Sequence, residues 1–225
     1  MKEQIKSLLL SLGADVCGIA HIERFYETPA GFHPKDIFPE CKAVIVFGIA
    51  LPKGLTQVAP RLVYAHFNNL TCPQIDAIGL KAAKEIERLW GGYAIPLPSD
   101  DPYEYWDKDK QEGRGLISMK HAAVLAGLGT IGKSTMLLNA QFGNLLTLGA
   151  ILTDHDLPSD PLSENICIEN CHLCIQSCPS QALEAYRVNQ LKCRQFTYGT
   201  NARGFGIVNC NICRTVCPMR FGHPV

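Results

Sequence analysis

The chain has 225 residues, 47% of them apolar, with 21 basic and 21 acidic side chains. That length holds one large domain, or a medium one with a small appendage, and the apolar share is enough to bury a core. Balanced charge excludes a global electrostatic pull toward nucleic acid or an anionic surface, and no segment reaches the roughly 18 uninterrupted apolar residues of a membrane helix. With no cleavable leader in the first segment, a cytoplasmic protein without membrane association is expected.

Ile5, Leu8, Leu9 and Leu12 keep helical spacing before Gly13, so residues 2–12 read as an amphipathic helix. "ADVCGIAHI" reads as a strand, and "CKAVIVFGIAL" as a central strand covered on both faces. Ile75, Ile78, Ala82, Ile86 and Leu89 predict a second helix, begun near Pro73 and stopped by Gly91 and Gly92. "YAIPLPSDDPYEYW" gives a short strand and then a polar, aromatic loop. There Ser99, Asp100 and Asp101 read as a solvated turn or cap, while Tyr103, Tyr105 and Trp106 either cover a pocket or pack the loop. "LISMKHAAVLAG" is helical in composition and "NLLTLGAILTD" is β-like, which makes the organisation α/β. The polar connection from His155 to Glu169 marks a boundary between residues 1–158 and 159–225.

Of eleven cysteines, Cys17, Cys41 and Cys72 are isolated. The first two read as small core residues; Cys72, beside Tyr64 to Asn69, is placed to line a cleft. The other eight crowd into residues 167–217, and in a reducing compartment such density points to metal rather than disulfides. They run Cys167-x3-Cys171-x2-Cys174-x3-Cys178-Pro179, then Cys193, then Cys210-x2-Cys213-x3-Cys217-Pro218. Two-cluster ferredoxins use related runs, in which the cysteine before proline ligates the other cluster. Crosswise sharing assigns Cys167, Cys171, Cys174 and Cys217 to one [4Fe-4S] cluster and Cys178, Cys193, Cys210 and Cys213 to a second. The first gap is one residue longer than usual and Cys193 stands far ahead of Cys210, so a loop must return it. Zinc accounts for the two C-x2-C pairs but leaves the two Cys-Pro cysteines unused. Residues 181–225 carry Arg187, Lys192, Arg194, Arg203, Arg214 and Arg220 against Glu184 alone, a surplus read first as compensation for the negative charge of thiolate-bound clusters, the alternative being a docking face for an acidic electron donor or RNA.

"AGLGTIGKSTMLLN" fits two phosphate-binding patterns at once, G-x-G-x-x-G through Gly127, Gly129 and Gly132, and G-x4-G-K-S through Gly127, Gly132, Lys133 and Ser134. Both require a strand before the first glycine and a long helix after the last. The sequence supplies a helical stretch before and only a short apolar run after.

The succession "LGADVCGIA", "FPECKAVIVFGIAL", "HAAVLAGLGTIGKSTMLLN" with "FGNLLTLGAILTD", and then the cysteine tail, resembles the epoxyqueuosine reductases and the related corrinoid iron-sulfur reductive dehalogenases over nearly the whole chain. The resemblance, to a short and divergent member, implies an α/β (α+β) nitroreductase-like corrinoid-type domain with a C-terminal ferredoxin-like double [4Fe-4S] domain. It implies that Gly127, Gly129, Gly132 and Lys133 let the backbone approach a cofactor such as cobalamin. The expected activity is that of an iron-sulfur reductase. It takes electrons from a donor such as a ferredoxin or flavodoxin and passes them through two clusters to a corrinoid or a bound small molecule. The alternative is a non-catalytic ferredoxin-type electron-transfer protein without corrinoid. The queuosine enzymes carry an acid in a Gly-Arg-Asp-Tyr-His segment, whereas "RLVYAHFNNLTC" has Tyr64, His66, Asn68 and Asn69 but no Asp. His66 is the candidate replacement acid. With neutral net charge and only eight residues after Cys217, tRNA is not expected as a partner.

Overall fold

The computed structural model describes residues 1–99 and 103–223; of the turn expected at Ser99 to Asp101, Asp100 and Asp101 lie outside them. The helices are α1 (Lys2–Ser11), the single turn α2 (Pro34–Ile37), α3 (Leu62–Trp90), α4 (Met119–Leu125), α5 (Leu173–Gln176), α6 (Gln190–Thr197) and α7 (Ile212–Thr215). The main sheet holds β1 (Val16–His21), β2 (Ala43–Ala50), β3 (Ala94–Leu97) and β8 (Leu146–Thr153) in the order β1-β2-β8-β3. Small two-stranded ribbons pair β4 (Tyr105–Asp107) with β5 (Glu112–Arg114), β6 (Thr130–Ile131) with β7 (Leu137–Leu138), β9 (Leu183–Glu184) with β10 (Arg187–Val188), and β11 (Tyr198–Thr200) with β12 (Gly206–Val208).

Every pairing in the main sheet is antiparallel, so the organisation is α+β and not a succession of parallel crossovers. Helices nonetheless cover both faces, which is why β2 reads as one continuous apolar run. Ile45 and Phe47 point to the face covered by α1 and α3, among Ile5, Leu9, Ile75 and Ile86. Val44 and Val46 point to the other, against Ala122 and Ala123 of α4 and Leu128. Successive side chains of a strand alternate faces, so a strand between two helical layers must be apolar throughout.

Helix α3 begins eleven residues ahead of the start expected at Pro73 and carries that proline inside its 29 residues. A mid-helix proline removes one backbone bond and clashes with the preceding turn, at about 3 kcal/mol. Burial on the proline's N-terminal side offsets this: Tyr64 and Ala65 pack with Leu51, Leu145 and Val208, and the Thr71 hydroxyl bonds the Asn68 carbonyl at 2.6 Å and the Thr147 hydroxyl at 2.8 Å. The first turns carry no readable helical period because Leu62, Val63, Phe67 and Leu70 are apolar yet exposed.

The connection after β8 lies along the edge of β1. Ile19 donates to the Asp160 carboxylate at 2.9 Å and accepts from the Asp160 N–H at 2.8 Å, and His21 donates to the Ser159 hydroxyl at 2.8 Å. Lys2 and Lys6 grip the same carboxylate at 2.7 and 3.1 Å. An edge strand that would otherwise present unpaired backbone groups is thereby covered. At the other edge β3 includes Pro96, which has no N–H to donate.

Candidate iron-sulfur site

The tail is built from two similar pieces. α5 carries Cys174 and leads to Cys178-Pro179; α7 carries Cys213 and leads to Cys217-Pro218; α6, capped by the Asn189 side chain on the Lys192 N–H at 3.0 Å, brings Cys193 back to them. All eight cysteines are half-buried free thiols.

Their surroundings divide them into two fours. Cys167, Cys171, Cys174 and Cys217 line one cavity, walled also by Gly132, Lys133, Leu138, Ile168 and Met219. Burial raises the Cys174 thiol, and the charges of Cys167 and Cys171 add to it. Burial likewise raises Cys217, with Cys167, Cys174 and Cys171 adding their repulsion. In the other four, burial pushes Cys213 up to about 11, with Cys193, Cys210 and Cys178 contributing and Arg214 opposing; burial raises Cys210, with Cys193 and Cys178 contributing. No thiol with a raised value owes any of it to a cysteine of the other four. At Cys178 burial works upward, but the Ser180 hydroxyl and the N–H groups of Ala182, Leu183 and Ser180 outweigh it and hold the thiol below its ordinary range.

Cys174, Cys210, Cys213 and Cys217, whose values are raised, favour the protonated form until a cation displaces the proton, which is the behaviour of ligands that release protons on binding metal. Among the described residues no three metal-ligating side chains converge on a point suited to a single ion, whereas the first four ring a cavity with apolar walls. Beside the second four, Asn211 between Cys210 and Cys213 holds a buried Nδ2 with no protein acceptor. An orphaned amide donor next to thiolates suits a sulfur-rich guest, because amide donors tune such clusters. The donor set therefore fits a [4Fe-4S] cluster at each four.

The glycines sit differently from expectation. α4 precedes Gly127, and the β6–β7 hairpin follows Gly129, so neither phosphate-loop context is present. Gly127 has φ +74°, and a side chain there would run into the Pro161 carbonyl; at Gly129 it would meet the Leu138 carbonyl. At Gly132 it would touch the Leu138 side chain at 2.8 Å. These glycines make room for the chain's own backbone and core, and they do not fit a corrinoid cradle. Lys133 is buried and donates to the carbonyls of Ile168, at 2.9 Å, and of Glu169.

Two further ties were not read from the sequence. Asn144 Nδ2 donates to the Arg214 carbonyl at 3.1 Å and the Arg214 guanidinium donates back to the Asn144 carbonyl, bolting α7 to the segment before β8. Arg194 of α6 lies over the rings of Tyr103 and Trp106 at 5.2 and 5.1 Å and donates to the Tyr103 hydroxyl at 2.9 Å. Gln190 bridges the Gly113 N–H and carbonyl at 3.1 and 3.3 Å. The sequence showed the arginines only as a charge surplus. Tyr103 also lines a separate pocket with Leu97, Ser99, Gly115 and Met119. His66 stands exposed on α3, edge-on to Phe67 at 5.2 Å, and lines neither cavity.

The described residues form a mixed α/β fold whose tail carries eight grouped free thiols. No family model matches the chain. It is 36% identical to an epoxyqueuosine reductase of Prochlorococcus marinus (strain NATL2A), over 44% of this chain and 35% of that one. It is 27% identical to the epoxyqueuosine reductase of Vibrio cholerae, over 97% of this chain and 66% of that one. The chain thus spans between a third and two thirds of these relatives. Among solved structures it is similar to an epoxyqueuosine reductase with an epoxyqueuosine-modified tRNA-Tyr stem loop. The TM-score is 0.69 and identity 18%, covering 97% of this chain and 65% of that one. It is also similar to a reductive dehalogenase described in terms of B12-dependent dehalogenation, with TM-score 0.68 and 19% identity over 96% of this chain and 31% of that one. The resemblance to epoxyqueuosine reductases and reductive dehalogenases is borne out, as is the mixed α/β fold. The expectation against tRNA is overturned by the stem-loop complex. Its error was physical: a net charge of zero is a sum over the surface, and it hides the exposed Arg187, Lys192 and Arg203 of the tail.

Proposed function

We propose that the chain is an iron-sulfur oxidoreductase in which residues 1–158 form the substrate-facing domain and residues 159–225 a ferredoxin-like domain holding two [4Fe-4S] clusters. The carrying observation is that Cys167, Cys171, Cys174 and Cys217 line one cavity, while the charges of Cys178 and Cys193 act on Cys210 and Cys213. Bound clusters supply one-electron transfer. The chain's own part is to hold them with Cys167, Cys171, Cys174 and Cys217 on one side and Cys178, Cys193, Cys210 and Cys213 on the other, to shield them with Leu138, Ile168 and Met219, and to set the charge around them. Electrons come from a donor such as a ferredoxin or flavodoxin and leave to a substrate on the larger domain.

The relatives' name points to a modified nucleoside of tRNA as that substrate. Exposed Arg187, Lys192 and Arg203 beside exposed Tyr186, Phe196 and Phe205 supply the cations and rings that bind single-stranded loops. His66 is the candidate proton donor, and His66→Asn is expected to lower turnover at unchanged iron content. A corrinoid is assigned no step, because the glycines expected to admit it are filled from within; saturable cobalamin binding in an absorption titration would restore it.

Metal analysis of protein isolated without oxygen, for iron, sulfide, cobalt and zinc, tests the reading: about eight irons per chain are expected, and stoichiometric zinc with silent paramagnetic resonance would sink it. The absence of any carboxylate in residues 61–72 favours the second reading, a non-catalytic electron carrier. Reduction of an epoxyqueuosine-bearing stem loop by dithionite or reduced ferredoxin separates the two.

A further inference from the structure

Lys133, the lysine of the apparent phosphate loop, is 8% exposed. Its ammonium donates to the carbonyls of Ile168 and Glu169, which lie in the bend between Cys167 and Cys171. Among the described residues no carboxylate pairs with it. Its backbone carbonyl accepts from the Tyr186 N–H at 3.1 Å, which ties the same residue to the β9–β10 ribbon. A buried ammonium held only by neutral carbonyls is costly unless an anion lies near, and the cavity Lys133 walls is ringed by Cys167, Cys171, Cys174 and Cys217. Beside the second four the cation is instead Arg214 of the tail itself, whose charge acts on Cys213 and whose guanidinium donates to the Asn144 carbonyl.

We propose that Lys133 is the positioning residue of the first cluster site. Resting on the two-cluster reading above, it assigns Lys133 two effects: its hydrogen bonds fix the Cys167–Cys171 bend, and its charge favours the reduced, more negative state of that cluster and not of the other. The glycine-rich loop that mimics a nucleotide site is then a bracket carrying one cation from the larger domain to the tail.

The test is an anaerobic redox titration followed by paramagnetic resonance on holoprotein, comparing wild type with Lys133→Arg and Lys133→Gln. Cys174→Ser, which leaves the second site intact, assigns the two signals. Lys133→Gln is expected to move the midpoint potential of the first signal downward while the second stays in place, or to lose half the iron selectively from the first site. Lys133→Arg is expected to keep both signals near wild type. The proposal is overturned if Lys133→Gln keeps full iron and both potentials, if it shifts or loses both clusters alike, or if the arginine variant behaves as the glutamine one does. Wild-type protein without iron would instead strike down the two-cluster reading, a separate result.

Discussion

The two thiol groups are alike in number and unlike in support. The first looks into the larger domain: Gly132, Lys133 and Leu138 form part of its wall, and its cation comes from outside the tail. The second is held from within the tail and from a surface ribbon, through Cys193 on α6 and the clasp of Arg194 and Gln190 on Tyr103, Trp106 and Gly113. One site is keyed to a core and the other to a clasp. A cluster bound at the first would therefore be coupled to the folding of the larger domain, while a cluster bound at the second would depend on a few exposed contacts that can open locally.

The largest effect that could break this comparison is a wrong partition. Cys178→Ser and Cys213→Ser are expected to leave the same residual spectrum, and Cys174→Ser and Cys217→Ser the other one, each variant retaining about half of the iron. Because Cys178 closes the same sequence run as Cys174, identical spectra from those two variants would mean that ligands are drawn from consecutive runs, and the crosswise division would fail.

The clustering of eight cysteines in the tail was legible in the sequence because ligand spacing is a local constraint: three intervening residues place the cysteine before Pro179 a helical turn beyond Cys174. The strands β2 and β8 were legible for the same kind of reason, a continuous apolar run. What stayed hidden depends on contacts between distant segments. The antiparallel order of the sheet is set by how β8 inserts between β2 and β3, and no single stretch states it. The start of α3 was masked by exposed apolar residues. The partners of Lys133 were hidden because a pattern of residue types carries no direction: its ammonium turns toward the Cys167–Cys171 bend, 35 positions on.

A smaller effect sharpens the contrast between core and clasp. Arg194→Ala removes two cation-ring contacts and the bond to Tyr103, together worth about 1–3 kcal/mol for partly buried groups. Loss should fall on the second site: its signal is expected to bleach faster in air than in wild type, with the first unchanged. Equal bleaching of both would mean that the tail opens as one unit and that the two supports do not differ.

The smallest effect uses a thiol that belongs to neither group. Cys41 is fully buried, and burial pushes its thiol up to about 11, partly countered by backbone N–H groups. Since the folded value lies above that of the unfolded chain, near 9, the folded state binds more protons between the two. Its contribution is then fully present below pH 9 and falls as pH rises toward 11, by at most ~1.4 kcal/mol per unit. Cys41→Ala is expected to flatten that part of the alkaline limb in urea titrations between pH 9 and 11, even though it lowers stability at pH 7 through lost packing. The same burial acts on Cys213, where a bound cation would replace the proton; in apoprotein both thiols should resist alkylation at pH 8, and in holoprotein iron alone should protect Cys213 as the pH is raised. If Cys41 alkylates at pH 8 as fast as an unfolded control, burial is not what sets thiol behaviour in this chain, and the shifts that divide the eight cysteines lose their physical basis.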